Sequence, residues 1–348
     1  MCDFFSAIVT KKGKILTNIT DSHSEIRKEF GLTDNVKKLE ELDNYPIEII
    51  PKENKTVFDK PNKNNWRFNI GACSGHDDRF RPKWWKKTFE KEAWTLFKKV
   101  WSKRVIQNCE LEQINNRHGL FLRNCKIKVL KNSTVTKMCG DSTITKMYGN
   151  STVTKMCGNS TVTNMWANST VTKMDGNSTI TKMYGNSTVT NMDGNSTVTN
   201  MWANSTITKM YENSTVTKMC GNSTVTKMCG NSTVTEMYNN STVTEMYNNS
   251  TITKMYDNST VTEMYGNSTV TKMCGNSTII EMYGNSTITE MDGNSTVTEM
   301  YEDSTVIEMN SIYGVVKLFS KYSKVKKHNK GTIIDFSGKK SKVKSKFE

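Results

Sequence analysis

From Asn132 to Ser311 the polar and apolar positions repeat every nine residues, as in Asn132-Ser133-Thr134-Val135-Thr136-Lys137-Met138-Cys139-Gly140. The unit occurs twenty times in tandem. Ser and Thr always hold its second and third positions, Val or Ile the fourth, and Met the seventh. No 3.6-residue periodicity survives, and β-branched residues alternate with polar ones, so each unit predicts one strand. Ser133 and Val135 fall on one face, Thr134 and Thr136 on the other. Met138 re-enters the core if the chain turns at Lys137. Gly140 and Asn132 supply the next turn, and one Asn per unit suits a stacked amide ladder.

Nine residues are too few to enclose a two-sheet core. Paired units predict a mainly β, parallel two-sheet solenoid with about 18 residues per coil. Ten coils at ~4.8 Å make a rod of about 48 Å. At that period the eighth positions form columns. Tyr148, Trp166, Tyr184 and Trp202 stack on one side. Cys139, Cys157, Asp175 and Asp193 stack on the other, and Tyr211, Tyr247, Tyr265, Tyr283 and Tyr301 make a second aromatic column.

Before the repeats the pattern is mixed. Phe4–Val9, Ile15–Ile19, Tyr45–Pro51 and Trp66–Ile70 read as strands, with a turn at Lys11–Lys14. Short helices are expected after Asp21/Ser22 and over Asp34–Leu42. From Pro82, Trp85, Phe89, Ala93, Trp94, Phe97, Val100, Trp101 and Val105 recur at helical steps, and lysines fill the other face. The expected organisation is a small basic α+β head over 1–130, a β-solenoid over 131–311, and a cap with a basic, partly disordered tail over 312–348. In the tail, Val315–Phe319 caps the last coil, Lys321–Lys330 is solvated, Gly331–Phe336 is a last strand and Lys339–Lys346 is disordered.

Charge sharpens this division. The first 131 residues carry 27 basic against 17 acidic side chains, the repeats 10 against 15, and the last 37 residues 11 against 2. Basic flanks suit a polyanion at the head or the tail. Nine Cys in no scaffold-like spacing, with no signal peptide, predict free thiols in a cytoplasmic protein or one assembled into a phage particle. No apolar run is long enough to span a bilayer.

Chemistry is sparse. Cys2 is the one nucleophile candidate, acting with its own amine if the initiator Met is removed; His23 and Asp21 are the partners the sequence offers. Cys73 and His76 lack two further zinc ligands nearby. The calcium signature of other nonapeptide solenoids is absent, so no metal or cofactor is expected. The rod offers Thr134 and Thr136 as a flat array of ~7 Å by ~4.8 Å, a spacing shared by ice-binding solenoids. Its aromatic columns suit a protein or a polysaccharide.

The start, Met1-Cys2-Asp3-Phe4-Phe5-Ser6-Ala7-Ile8-Val9, with Gly13-Lys14-Ile15-Leu16 and Asp21-Ser22-His23-Ser24-Glu25-Ile26, resembles a group of uncharacterised bacterial and bacteriophage proteins. These join a small α/β head to a nine-residue solenoid. The resemblance runs to about Ser311 and implies architecture and origin, with no activity attached. The expectation is a non-enzymatic structural or interaction protein. The alternatives are an enzyme using Cys2, and an ice- or carbohydrate-binding solenoid.

Overall fold

Apolar runs that alternate with lysine-rich turns give the first unit a four-stranded antiparallel sheet in a computed structural model of the chain. The structure describes residues 4–18, 22–32, 43–70, 82–338 and 340–347. The chain divides into two compact units. The first comprises residues up to Asn108 together with His118–Arg123. The second comprises Cys109–Arg117 and everything from Asn124.

In the first unit, β1 (Phe5–Thr10), β2 (Ile15–Leu16), β3 (Asn44–Pro51) and β4 (Trp66–Ile70) lie in the order β2-β1-β3-β4. Helix α1 (His23–Glu29) stops at Phe30, just before Gly31 at φ 62°. The expected helix over Asp34–Leu42 lies outside the described residues, as do Cys2, Asp21, Cys73 and His76. Helix α2 begins at Lys87, five residues after the expected start, and ends at Arg104. The delay has a local cause: Trp85 N–H closes a turn on Pro82 C=O (2.8 Å), and Lys86 is extended. Phe89, Ala93 and Phe97, four residues apart, are the apolar side chains that α2 buries. Phe97 packs on Phe4, Phe5, Trp66 and Trp94, with centroids 4.7–5.9 Å away. Val105, expected to end the helical stripe, instead opens a strand, Val105–Gln107, that pairs in parallel with Leu120–Arg123.

The second unit is a parallel β-solenoid with 18 residues per coil. Val153 lies on Val135 and Met156 on Met138, and the same register is kept from coil to coil. One of its two sheets has 13 strands. The repeat does not mark where the coils start. Glu110–Asn115 already pairs in parallel with Lys126–Lys131, which pairs with Thr143–Tyr148. Coils also continue after Ser311, through Val315–Leu318, Lys324–His328 and Gly331–Asp335.

Both Val135 and Met138 are fully buried, and so is every equivalent residue in the repeats. Side chains alternate along a strand, so inward positions three apart require one slip of the pleat between them. The slip falls at Thr136–Lys137, inside a strand that runs unbroken over Thr134–Cys139. The corner expected at Lys137 is therefore a bend within a strand. The turn comes afterwards, with the ninth residue left-handed. Gly293 has φ 67°, and a Cβ there would meet Gly275 N at 2.7 Å. The first-position Asn instead bridges coils: Asn177 Nδ2 donates to Asn159 Oδ1 (3.5 Å), and Asn195 to Asn177.

The invariant Ser is also fully buried. Its hydroxyl donates to a nearby carbonyl in the first units, as from Ser142 to Cys139 O (2.7 Å). From Ser178 to Ser295 the hydroxyls have no hydrogen-bond partner. An unpaired buried hydroxyl stabilises nothing beyond its volume. Ser214→Ala is therefore expected to leave the thermal midpoint unchanged or slightly raised in a melting experiment.

The end of the solenoid is basic. Lys324–His328 is the last strand of one sheet. Lys342–Lys346 turns back antiparallel on Gly331–Asp335 to finish the other. Lys342–Lys346, within the segment expected to be disordered, is thus an edge strand. Lysines spread along both last strands oppose pairing with further chains.

Candidate interaction surface

The outward rows of the solenoid follow from its register. Thr134, Thr152, Thr170 and Thr188 form one half-buried row. Thr136, two residues on, belongs to a second half-buried row.

The eighth-position residues stack as the 18-residue period predicts. Tyr148 and Trp166 have centroids 6.3 Å apart, Trp166 and Tyr184 4.4 Å, and Tyr184 and Trp202 6.1 Å. In the second column Tyr247, Tyr265, Tyr283 and Tyr301 stack at 4.9–5.1 Å with interplanar angles of 6–10°. Phe319 and Phe336 extend it beyond the repeats. The rings spend their faces on one another. Within the repeats the most exposed of these rings are Trp166 and Trp202, at 39% and 42%. A sugar platform needs an open ring face, and within each stack the faces meet one another.

A carboxylate stands beside several of these rings. Tyr265 Oη donates to Glu263 Oε2 (2.5 Å) and Tyr238 Oη to Glu236 Oε2 (3.0 Å). Tyr283 and Tyr301 donate to Glu281 and Glu299 in the same way. Burial and then the bond to Glu236 push the Tyr238 phenol up to about 12. The bond to Glu299, and then burial, do the same to Tyr301. A raised phenol favours the folded state, fully so below the ordinary tyrosine value of ~10, and this is lost as pH rises through about 12. In an alkaline titration followed at the tyrosinate absorbance, Tyr238 is expected to ionise near 12. Glu236→Gln should bring that step towards ~10.

In the first unit, Lys63, Lys87, Lys91 and Lys98 surround Trp94 in a shallow hollow along α2. Trp94, read from the sequence as part of the apolar stripe, is thus only half-buried and lies among lysines. His23, offered as a partner for Cys2, is buried in α1. Its Nε2 lies 3.0 Å from Ile47 O and its Nδ1 3.8 Å from Glu48. Burial lowers its pKa, against the opposing pull of the Ile47 carbonyl and Glu48.

The thiols differ from the free set expected. Cys139 and Cys157 are joined as a disulfide between adjacent coils. Cys109 and Cys125 lie with sulfurs 3.5 Å apart, and Cys220, Cys229 and Cys274 are free. Burial raises the thiol pKa at Cys220, Cys229 and Cys274, the opposite of an activated nucleophile. Among the described residues no group of three or more His, Cys, Asp or Glu is arranged to hold a metal ion. Among the described residues, too, no helix is long and apolar enough to cross a membrane.

No family model, no curated protein and no solved structure matches the chain.

Proposed function

We propose that this chain is a non-enzymatic structural or interaction protein: a solenoid that displays ordered Thr, charged and aromatic rows, made together with a small basic α+β head. One observation carries the reading. The fully buried positions two, four and seven hold only Ser, Val or Ile, and Met, while most of the variation falls on positions six, eight and nine, at the outward side and the turn. A surface varied on a fixed frame is what a contact protein needs. Its partner along the solenoid is a protein that meets the aromatic columns and charged rows. A polyanion is the partner for the lysines of α2 and of the two final strands. We further read the chain, from its resemblance at the N-terminus, as a nonapeptide-repeat protein of bacterial or bacteriophage origin, working in the cytoplasm or in a particle.

The test is a comparison of wild type with Cys2→Ala and with a variant whose outward columns are altered (Trp166→Ser, Trp202→Ser). The scaffold reading expects Cys2→Ala to behave as wild type in host complementation, and the column variant to lose function while keeping its strand spectrum. Loss of function in Cys2→Ala with an unchanged fold would overturn it in favour of an enzyme. A second reading is favoured by the two in-register Thr rows: ice binding. Thermal hysteresis in dilute protein would establish it, and ordinary colligative freezing would dismiss it.

A further inference from the structure

The sixth position of the repeat is sorted by charge along one sheet. From the strand at Thr134 onward its residues are Lys137, Lys155, Lys173, Asn191, Lys209 and Lys227, then Glu245, Glu263, Glu281 and Glu299. The register places each directly on the next. The other sheet mixes the two signs, as at Glu236, Lys254 and Lys272. Four carboxylates at the ~4.8 Å spacing of neighbouring strands repel one another, and the tyrosine hydroxyls beside three of them relieve only part of this. A row of opposite charge at the same pitch would relieve the rest at every coil at once.

The chain carries such a row itself. We propose that this sheet face binds a second copy of the chain in antiparallel fashion, its lysine half against the partner's glutamate half. The proposal rests on the scaffold reading above and names its partner. A two-fold axis along the strand direction leaves the row at the same height on both faces and reverses the rod. Residues numbered like Lys137, Lys155 and Lys173 then oppose those numbered like Glu299, Glu281 and Glu263, and each contact occurs twice.

The lysine half is partly neutralised within the chain: Lys155 reaches Asp175 (3.2 Å) and Lys173 reaches Asp193 (3.0 Å). Lys227 lies 3.6 Å from Glu245 where the two halves meet. These bridges are half-buried but reachable by solvent, and an ammonium has three donors, so they leave room for a further carboxylate. Uncharged rows run beside the charges, almost all Thr, with Ile280 the exception in this sheet. Ten coils, each contributing about four outward residues, cover about 600 Å² per copy, ~1,200 Å² in all. That is the lower limit for a specific pair, so the dimer should be weak and strongly salt-dependent.

Sedimentation velocity of the full chain tests this. The wild type should dimerise at about 0.05 M salt and weaken at least tenfold by about 0.5 M. Glu263→Lys/Glu281→Lys/Glu299→Lys should be monomeric, and so should Lys137→Glu/Lys155→Glu/Lys173→Glu. Mixing these two proteins should form a heterodimer, and all six changes in one chain should restore the homodimer. Gln in place of each reversed charge keeps the test available if a reversal disturbs the fold, and must also weaken the dimer. A wild type that stays monomeric at low salt, or a dimer indifferent to both triple changes, would overturn the pairing. A monomer with an intact strand spectrum refutes the pairing alone. A wild type with a coil spectrum refutes the scaffold reading beneath it.

Discussion

Met210→Asp is expected to open the solenoid locally, with a loss of at least ~4 kcal/mol at that coil. Met210 is fully buried and paired in register with Met192 and Met228. An aspartate there meets no cation in a core whose polar side chains are the buried Ser hydroxyls, so its carboxyl is held protonated and the coil still loses the methionine's apolar contacts. Each coil touches only its neighbours, so the damage should stay near the substitution. Hydrogen exchange should show protection lost around residues 192–228 and kept in coils several turns away. Limited proteolysis should nick the same span. Met210→Leu, which conserves volume, should cost less than ~1.5 kcal/mol. Thr208→Asp, on the outward half-buried row, should cost less than Met210→Asp by several fold. A uniform loss of protection along the whole solenoid would contradict this account.

The solenoid was legible because twenty copies state the same constraint. Val135 and Met138 declare themselves inward by never changing to a polar residue, and the paired columns reveal the 18-residue coil. The bend was less legible, since nothing in Thr136-Lys137 tells a turn from a slipped pleat. The first coils were missed for a different reason. Glu110–Asn115 and Lys126–Lys131 lack the Asn-Ser-Thr signature, yet Leu111/Ile114 and Ile127/Leu130 keep the same three-residue spacing, stacked on each other and then on Ile144/Met147. That spacing was the available signal. At the other end His328 takes the place of Met309 in the register, and Lys342–Lys346 looks disordered by composition alone. Its order comes from the backbone pairing offered by Gly331–Asp335. Ring orientation is a tertiary fact. The sequence aligned Tyr148 with Trp166, but only coordinates show that their faces meet.

In the first unit Phe97→Ala is expected to have the largest effect, about 3–5 kcal/mol. The ring is fully buried and contacts Phe4, Phe5, Trp66 and Trp94, so it joins the start of β1 and the residue before it to β4 and to its own helix. Its loss leaves a cavity bounded by rigid rings, which collapse poorly, and removes edge-to-face contacts worth ~0.5–1.5 kcal/mol each beyond area. Phe97→Leu should recover part of this, because it fills most of the volume without restoring the ring geometry. Trp66 is buried, and its indole N–H donates to Asp59 O (3.0 Å), so its emission reports the cluster. Denaturation of Phe97→Ala should show that signal shifting to the red at lower denaturant, with a midpoint well below that of wild type. A midpoint within ~0.5 kcal/mol of wild type would mean that the aromatic cluster does not organise this unit.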